Sequence, residues 1–211
     1  MRSLAILLTV ILLARVEPVA AASAAGEFAI RGVGGADCSR FVAAAEKDRA
    51  MVAAFRSWLE GYITAVNRYR ADTFDVAPWE KTSLLLTLVF AHCQNNPDQP
   101  LYAVAHELVV LLGTQRLRRR SEIVALEGSE PPRRIYREVL RQAQQALIAR
   151  GLLQGKADGL YGPKTRAAFE AFQKQAGLKV TGVPDQETLY RLLLEPVIQG
   201  PPTTGEPKPG G

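Results

Sequence analysis

Val52, Phe55, Leu59, Tyr62 and Val66 recur at alternating steps of three and four, which sets them on one face of a helix. Val104, Leu108 and Leu111 repeat that pattern behind Asp98 and Pro100, residues suited to a helix start. Between the two, residues 84–90 are apolar nearly all round, as a buried helix is. With a shorter helix after Cys38, this part of the chain predicts about four helices and no strand-like alternation. Further along, Ile135, Val139, Ala143 and Leu147 share a face, and Gly151 stops that helix in a left-handed cap. Gly162-Pro163 opens a second helix with buried Ala168, Phe169 and Phe172, ended by Gly177. Asp185 caps a third, with Thr188 in its capping turn and Leu189 and Leu192 pointing inward. The expected fold class is all-α: a four-helix N-terminal domain and a three-helix C-terminal one.

The chain begins with Arg2, an apolar run over residues 4–14 and a small-residue stretch over 20–25. That is the pattern of a secretory signal peptide, expected over residues 1–22. A membrane anchor is the competing reading, but it needs roughly 18 to 20 uninterrupted apolar residues; Arg15, Glu17 and Pro18 interrupt the run. The helical domain is then expected over 23–117, a charged linker over 118–132, the second unit over 133–196 and a disordered tail over 197–211. The mature protein is expected outside the cytoplasm, in the periplasm, with no membrane span.

Export changes how the two cysteines read. In an oxidising compartment Cys38 and Cys93 are most simply one disulfide, and closing a loop of that size stabilises by roughly 4 kcal/mol in the loop-entropy model. A catalytic thiol beside His92 is the alternative, although sequence neighbours on a helix do not face each other. The 211 residues contain two histidines, His92 and His106, which read as hydrogen-bonded packing residues; no metal and no cofactor is expected. The N-terminal domain carries Glu60, Glu80 and Glu107, but no spacing joins two of them into the carboxylate pair of a muramidase. A peptidoglycan hydrolase is therefore a minor alternative, and the expectation is no enzyme. There is no P-loop and no dinucleotide-type glycine fingerprint.

At 47% hydrophobic and 22% charged residues, the composition excludes wholesale disorder, collagen-like repeats and a multi-span membrane protein. Charge is uneven. Residues 23–117 hold 9 basic and 10 acidic side chains, a balance of −1, whereas residues 133–195 hold 11 and 6, a balance of +5. An anionic partner suits the second unit. Arg118-Arg119-Arg120 is a short run offset by nearby glutamates, and nucleic acid is not expected as a partner.

Two resemblances sharpen these expectations. Gln144-Gln145-Ala146-Leu147, Gly151-Leu152-Leu153, the run from Asp158 to Thr165 (DGLYGPKT), Ala168-Phe169, Phe172-Gln173, Gly177-Leu178, Val180-Thr181-Gly182 and Asp185 with Thr188-Leu189 resemble the peptidoglycan-binding-like domain family over residues 135–194. The resemblance implies a three-helix module that holds exported proteins to peptidoglycan. Cys38 to Phe41, Trp58-Leu59-Glu60-Gly61-Tyr62 and Cys93-Gln94-Asn95-Asn96-Pro97 resemble the HdeA-like acid-stress chaperones and related type VI immunity proteins over residues 32–115. That resemblance implies an all-helical, non-enzymatic periplasmic domain, and a periplasmic protein as a second partner.

Many of the matched residues are architectural: Gly159 and Gly162 make turns and Asp158 caps its own turn. Peptidoglycan offers stem-peptide carboxylates, amides and sugar faces, which call for cations, backbone N–H groups and an aromatic ring. Tyr161, Lys164, Thr165 and Arg166 supply those types at the start of the second helix, with Gln173 and Thr181 as further contributors. For Tyr161 and Thr165 a purely structural role is the competing reading. The sequence thus supports a non-catalytic peptidoglycan-binding protein that anchors its N-terminal module to the wall. The alternative makes that module a chaperone-like or immunity-like partner binder, with the C-terminal unit as a tether.

Overall fold

The computed structural model describes Ser23, residues 25–126 and residues 133–199. The expected signal peptide lies outside the described residues. Its first compact unit ends at Ile30, and there Ser23 closes a small turn by accepting the Glu27 N–H on its hydroxyl at 3.0 Å. From Arg31 onward the described residues form a second unit built on two hydrophobic cores.

Helices α1 (Cys38–Lys47), α2 (Arg49–Tyr69), α3 (Thr82–Asn95) and α4 (Leu101–Leu112) surround the first core. Phe41, Phe55, Leu59, Leu85, Val89, Val104 and Leu108 are buried in it. The disulfide Cys38–Cys93 joins α1 to α3. Beside it, the Cys38 N–H donates to the Gln99 carbonyl at 3.0 Å and the Leu101 N–H to the Ala36 carbonyl at 2.9 Å, so the starts of α1 and α4 are tied together. Asp48 caps α2 by accepting from the Met51 N–H at 2.9 Å.

A 3-10 turn over Gly32–Gly35 lies against α2, where Trp58 donates from its indole nitrogen to the Arg31 carbonyl at 3.0 Å and stacks on Tyr62. A Cβ at Gly34 would stand 2.0 Å from that indole ring. Gly34→Ala is accordingly expected to lower stability by about 2 kcal/mol through overpacking. Urea denaturation would measure the effect, and an unchanged midpoint would mean that the turn moves away freely.

The second part corrects the all-α expectation, since a hairpin precedes its helices. Strand β1 (Ile123–Leu126) pairs antiparallel with β2 (Arg133–Tyr136), in the register Ile123 to Tyr136. The stretch read as a linker thus contributes a strand, and Ile135 reaches the core from β2 instead of from a helix face. β2 is only four residues long and has no polar–apolar alternation, so nothing in it stands out beside a helical pattern.

Helices α5 (Arg137–Ala149), α6 (Pro163–Gln175) and α7 (Gln186–Leu189) follow as the sequence predicts. Pro163 is at the first helical position of α6 and Asp185 caps α7 by accepting the Thr188 N–H at 2.9 Å. Beyond α7 the chain continues as a π-helical turn over Tyr190–Leu194 and then as α8 (Glu195–Gln199). Residues 197–199, expected in a disordered tail, are therefore helical; the rest of that tail lies outside the described residues.

The two cores touch. Leu194 is buried in the first, Trp79 packs against both, and Leu117, beyond α4, is buried in the second. Three polar contacts join the parts: the Lys81 N–H donates to Gln186 Oε1 at 3.3 Å, Gln115 Nε2 donates to the Leu193 carbonyl at 2.6 Å, and Gln142 Nε2 donates to the Gln115 carbonyl at 3.4 Å.

Candidate functional site

Each long connection of the second part is held from below by a buried glutamine. On α5, Gln144 is 2% exposed. Its Oε1 accepts the Gly159 N–H at 2.7 Å, and its Nε2 donates to Asp158 Oδ1, the Leu160 carbonyl and Thr165 Oγ1 at 3.0 to 3.1 Å. On α6, Gln173 is 0% exposed. Its Oε1 accepts the Thr181 and Gly182 N–H groups at 2.8 Å, and its Nε2 donates to Thr181 Oγ1, the Val183 carbonyl and Thr188 Oγ1 at 2.9 to 3.0 Å.

The two arrangements repeat each other. In both, a glutamine holds a glycine of positive φ, +71° at Gly159 and +70° at Gly182, and the threonine six residues on lies in the first turn of the next helix. A side chain at either glycine would be strained by its backbone and would meet Arg137 or Arg166. Both loops are also entered alike: Gly151 and Gly177, again at positive φ, end α5 and α6, and each is followed by a leucine.

This geometry sorts the residues singled out in the sequence. Thr165 is 5% exposed, accepts from Gln144 and donates to the Leu160 carbonyl, so its hydroxyl is engaged within the fold. Gln173 and Thr181 are likewise bonded to each other and to their own loop. Asp158 accepts the Leu160 N–H at 2.9 Å, the expected turn cap, and this bond with that from Gln144 holds its carboxyl below the usual carboxylate range.

Three residues occupy the rim. Tyr161 is partly exposed and donates its hydroxyl to the Gly182 carbonyl at 2.7 Å; burial raises its phenol above the ordinary value. Arg166 lies close to Gly182 and pairs with Glu170 at 3.1 Å. Lys164 is exposed in the first turn of α6 and has no partner among the described residues. Tyr161 and Arg166 therefore meet at Gly182, with Lys164 beside them in sequence, and form a small cationic and aromatic rim.

With this geometry in place the comparisons are specific. Residues 137–192 match the family described as "Putative peptidoglycan binding domain". The match covers α5, α6, α7 and both glutamine-held loops. Among curated proteins, "Putative OxPP cycle protein OpcA" of Synechococcus elongatus is 53% identical over 49 residues, which is 23% of this chain. The match spans 11% of that relative's length, so the likeness concerns one segment of it. No solved structure matches the chain.

The remaining sequence candidates take other positions. His92 Nε2 meets Gln99 Oε1 at 2.6 Å and His106 Nδ1 meets the Tyr62 hydroxyl at 2.9 Å, on different helices. Glu60 accepts from the Thr82 hydroxyl and Glu107 from the Gln99 amide. Glu80 is 8% exposed, accepts the Trp79 N–H at 3.3 Å, and is pushed up to about 7 chiefly by its burial. Among the described residues no group of three His, Cys, Asp or Glu could hold a metal ion, and no helix is long and apolar enough to cross a membrane.

Sequence reasoning passed over Gln144 and Thr188 as functional positions. The available signal was a polar residue inside an apolar helical stripe: Gln144 follows Leu140 by four and precedes Leu147 by three.

Proposed function

We propose that this chain is an exported, non-catalytic protein that binds peptidoglycan through residues 133–196 and holds its N-terminal helical part at the wall. The match of residues 137–192 to the peptidoglycan-binding family carries the reading. The disulfide supports an extracytoplasmic, wall-associated location, because such bonds persist in oxidising compartments. The ligand groove in this proposal is the rim at the start of α6. Lys164 and Arg166 supply charge for stem-peptide carboxylates, and the partly exposed Tyr161 ring supplies a face for a sugar. Gln144, Thr165, Gln173 and Thr181 set the height of the two loops and act through position.

Pelleting with purified sacculi tests this. The full chain should sediment with the insoluble murein, and the double variant Lys164→Ala/Arg166→Ala should sediment several-fold less at an unchanged thermal midpoint, because neither side chain is buried. Equal pelleting of the double variant would remove the rim from the account. A wild-type chain left in the supernatant would overturn the wall reading itself.

A further inference from the structure

The run Arg118-Arg119-Arg120, to which peptidoglycan binding assigns no role, lines a concave pocket of about 590 Å³. Thr114 and Arg116 line it from the segment after α4, Ser121 from the approach to β1, and Glu138, Arg141 and Gln142 from α5. Five arginines therefore line one pocket, with Glu138 as the one acidic lining residue among the described residues. That carboxylate is committed: Glu138 accepts from Arg141 through both of its oxygens. Glu122, two residues beyond the run, pairs with Arg137 at 3.1 Å. Asp72 reaches only Arg118, at 4.0 Å, with both side chains largely exposed.

Uncharged groups hold two of the arginines in place. Arg116 donates from Nε to the Asp72 carbonyl at 3.1 Å and from NH1 to the Gly113 carbonyl at 2.7 Å, two of a guanidinium's five N–H donors. Arg120 lies over the Phe74 ring, 5.7 Å from its centroid. Arg119 is exposed and has no partner among the described residues. Like charges gathered this way repel, and carbonyls and a ring orient them without neutralising them. An anion bound there would offset this charge, and planar guanidinium forks match oxyanion geometry. A tetrahedral dianion engages more forks than a carboxylate, which offers two oxygens and one charge.

We infer that this pocket binds a phosphate dianion, either free inorganic phosphate or the phosphomonoester of a lipid headgroup. The site is separate from the rim on α6 and does not depend on the wall reading.

Thermal melts and isothermal titration of the full chain with inorganic phosphate, against sodium chloride and sodium acetate at matched ionic strength, test the inference. Phosphate should raise the melting midpoint in a saturable way where the other salts do not. Arg118→Gln/Arg119→Gln, which changes two exposed side chains, should weaken phosphate binding at least tenfold without lowering the melting midpoint measured in its absence. Lys164→Ala/Arg166→Ala should bind phosphate like wild type, which separates this site from the wall-binding rim. Cosedimentation with phosphatidic-acid vesicles, against phosphatidylcholine alone, identifies the source: arginine-dependent capture assigns the headgroup, and a response to inorganic phosphate alone assigns the free ion. A phosphate response no larger than that of chloride, or one that the arginine variant retains, would overturn the inference.

Discussion

Gln173→Leu should cost the C-terminal module about 4 kcal/mol, the largest loss expected from any single conservative change in this protein. Leucine has nearly the same volume, so the loss is not that of a cavity. The substitution strands the Thr181 and Gly182 N–H groups, both of which Gln173 Oε1 now satisfies; the Val183 carbonyl keeps the Asp185 N–H as a donor. Each buried polar group left without a partner costs about 1–3 kcal/mol. Gly182 is held at a φ of +70°, so the loop has little freedom to turn those groups toward water. Urea denaturation followed by far-ultraviolet circular dichroism would measure the change, and sacculus pelleting should weaken with it. A loss below about 1 kcal/mol would show that the loop keeps its shape without the glutamine.

The second large effect is one of pH. Burial pushes the Glu80 carboxyl from an ordinary 4.5 to about 7, against the opposing backbone hydrogen bonds of Glu80 and Trp79. The unfolded chain releases this proton near 4.5 and the folded chain keeps it to about 7. Between those values the folded state binds more protons, so stability falls as pH rises, and the full penalty applies above 7. A shift of this size corresponds to about 3 kcal/mol. Wild type should therefore be more stable near pH 5 than near pH 8 by on the order of 2–3 kcal/mol on account of this group, since the unfolded carboxyl is already mostly ionised at pH 5. Glu80→Gln, uncharged throughout, should match wild type at pH 5 and exceed it at pH 8, by on the order of 10 °C in the melting midpoint. Identical pH profiles for the two proteins would show that Glu80 titrates normally. The residue sits where the two cores meet: its neighbour Trp79 packs on both, and Lys81 bonds to Gln186 across them.

Much of the helical framework was legible because it rests on local rules. The three-four spacing from Val52 to Val66 marks α2, the proline at 163 and glycine at 177 bracket α6, and Asp185 caps α7. The hairpin was not legible, since β1 and β2 are four residues each and pair across a gap in sequence. The π-helical turn over Tyr190–Leu194 was also invisible, for residue spacing alone does not separate it from an α-helix. At the candidate site the sequence offered cations, an aromatic ring and polar side chains without distinguishing their surroundings. Only the coordinates separated Thr165 and Gln173, engaged inside, from Lys164 and Arg166, which remain on the rim. The same holds for the nearest of the glutamates beside the arginine run: Glu122 pairs with Arg137.

Taken alone, then, the order of residues determined a mostly helical chain, one cysteine pair able to close, and a peptidoglycan-binding-like segment near its end. Helix periodicity, caps and turn glycines act within a few residues of each other, and so they are written directly in the sequence. Tertiary structure decided which polar groups are consumed by the fold and which stay exposed at its surface. It seated Leu194 in the first core and Leu117 in the second, and it drew Arg116 and Arg141 around the run at 118–120. Those outcomes depend on side chains far apart in the chain competing for the same hydrogen bonds, charges and buried volume, and that competition is resolved only when the parts are packed together.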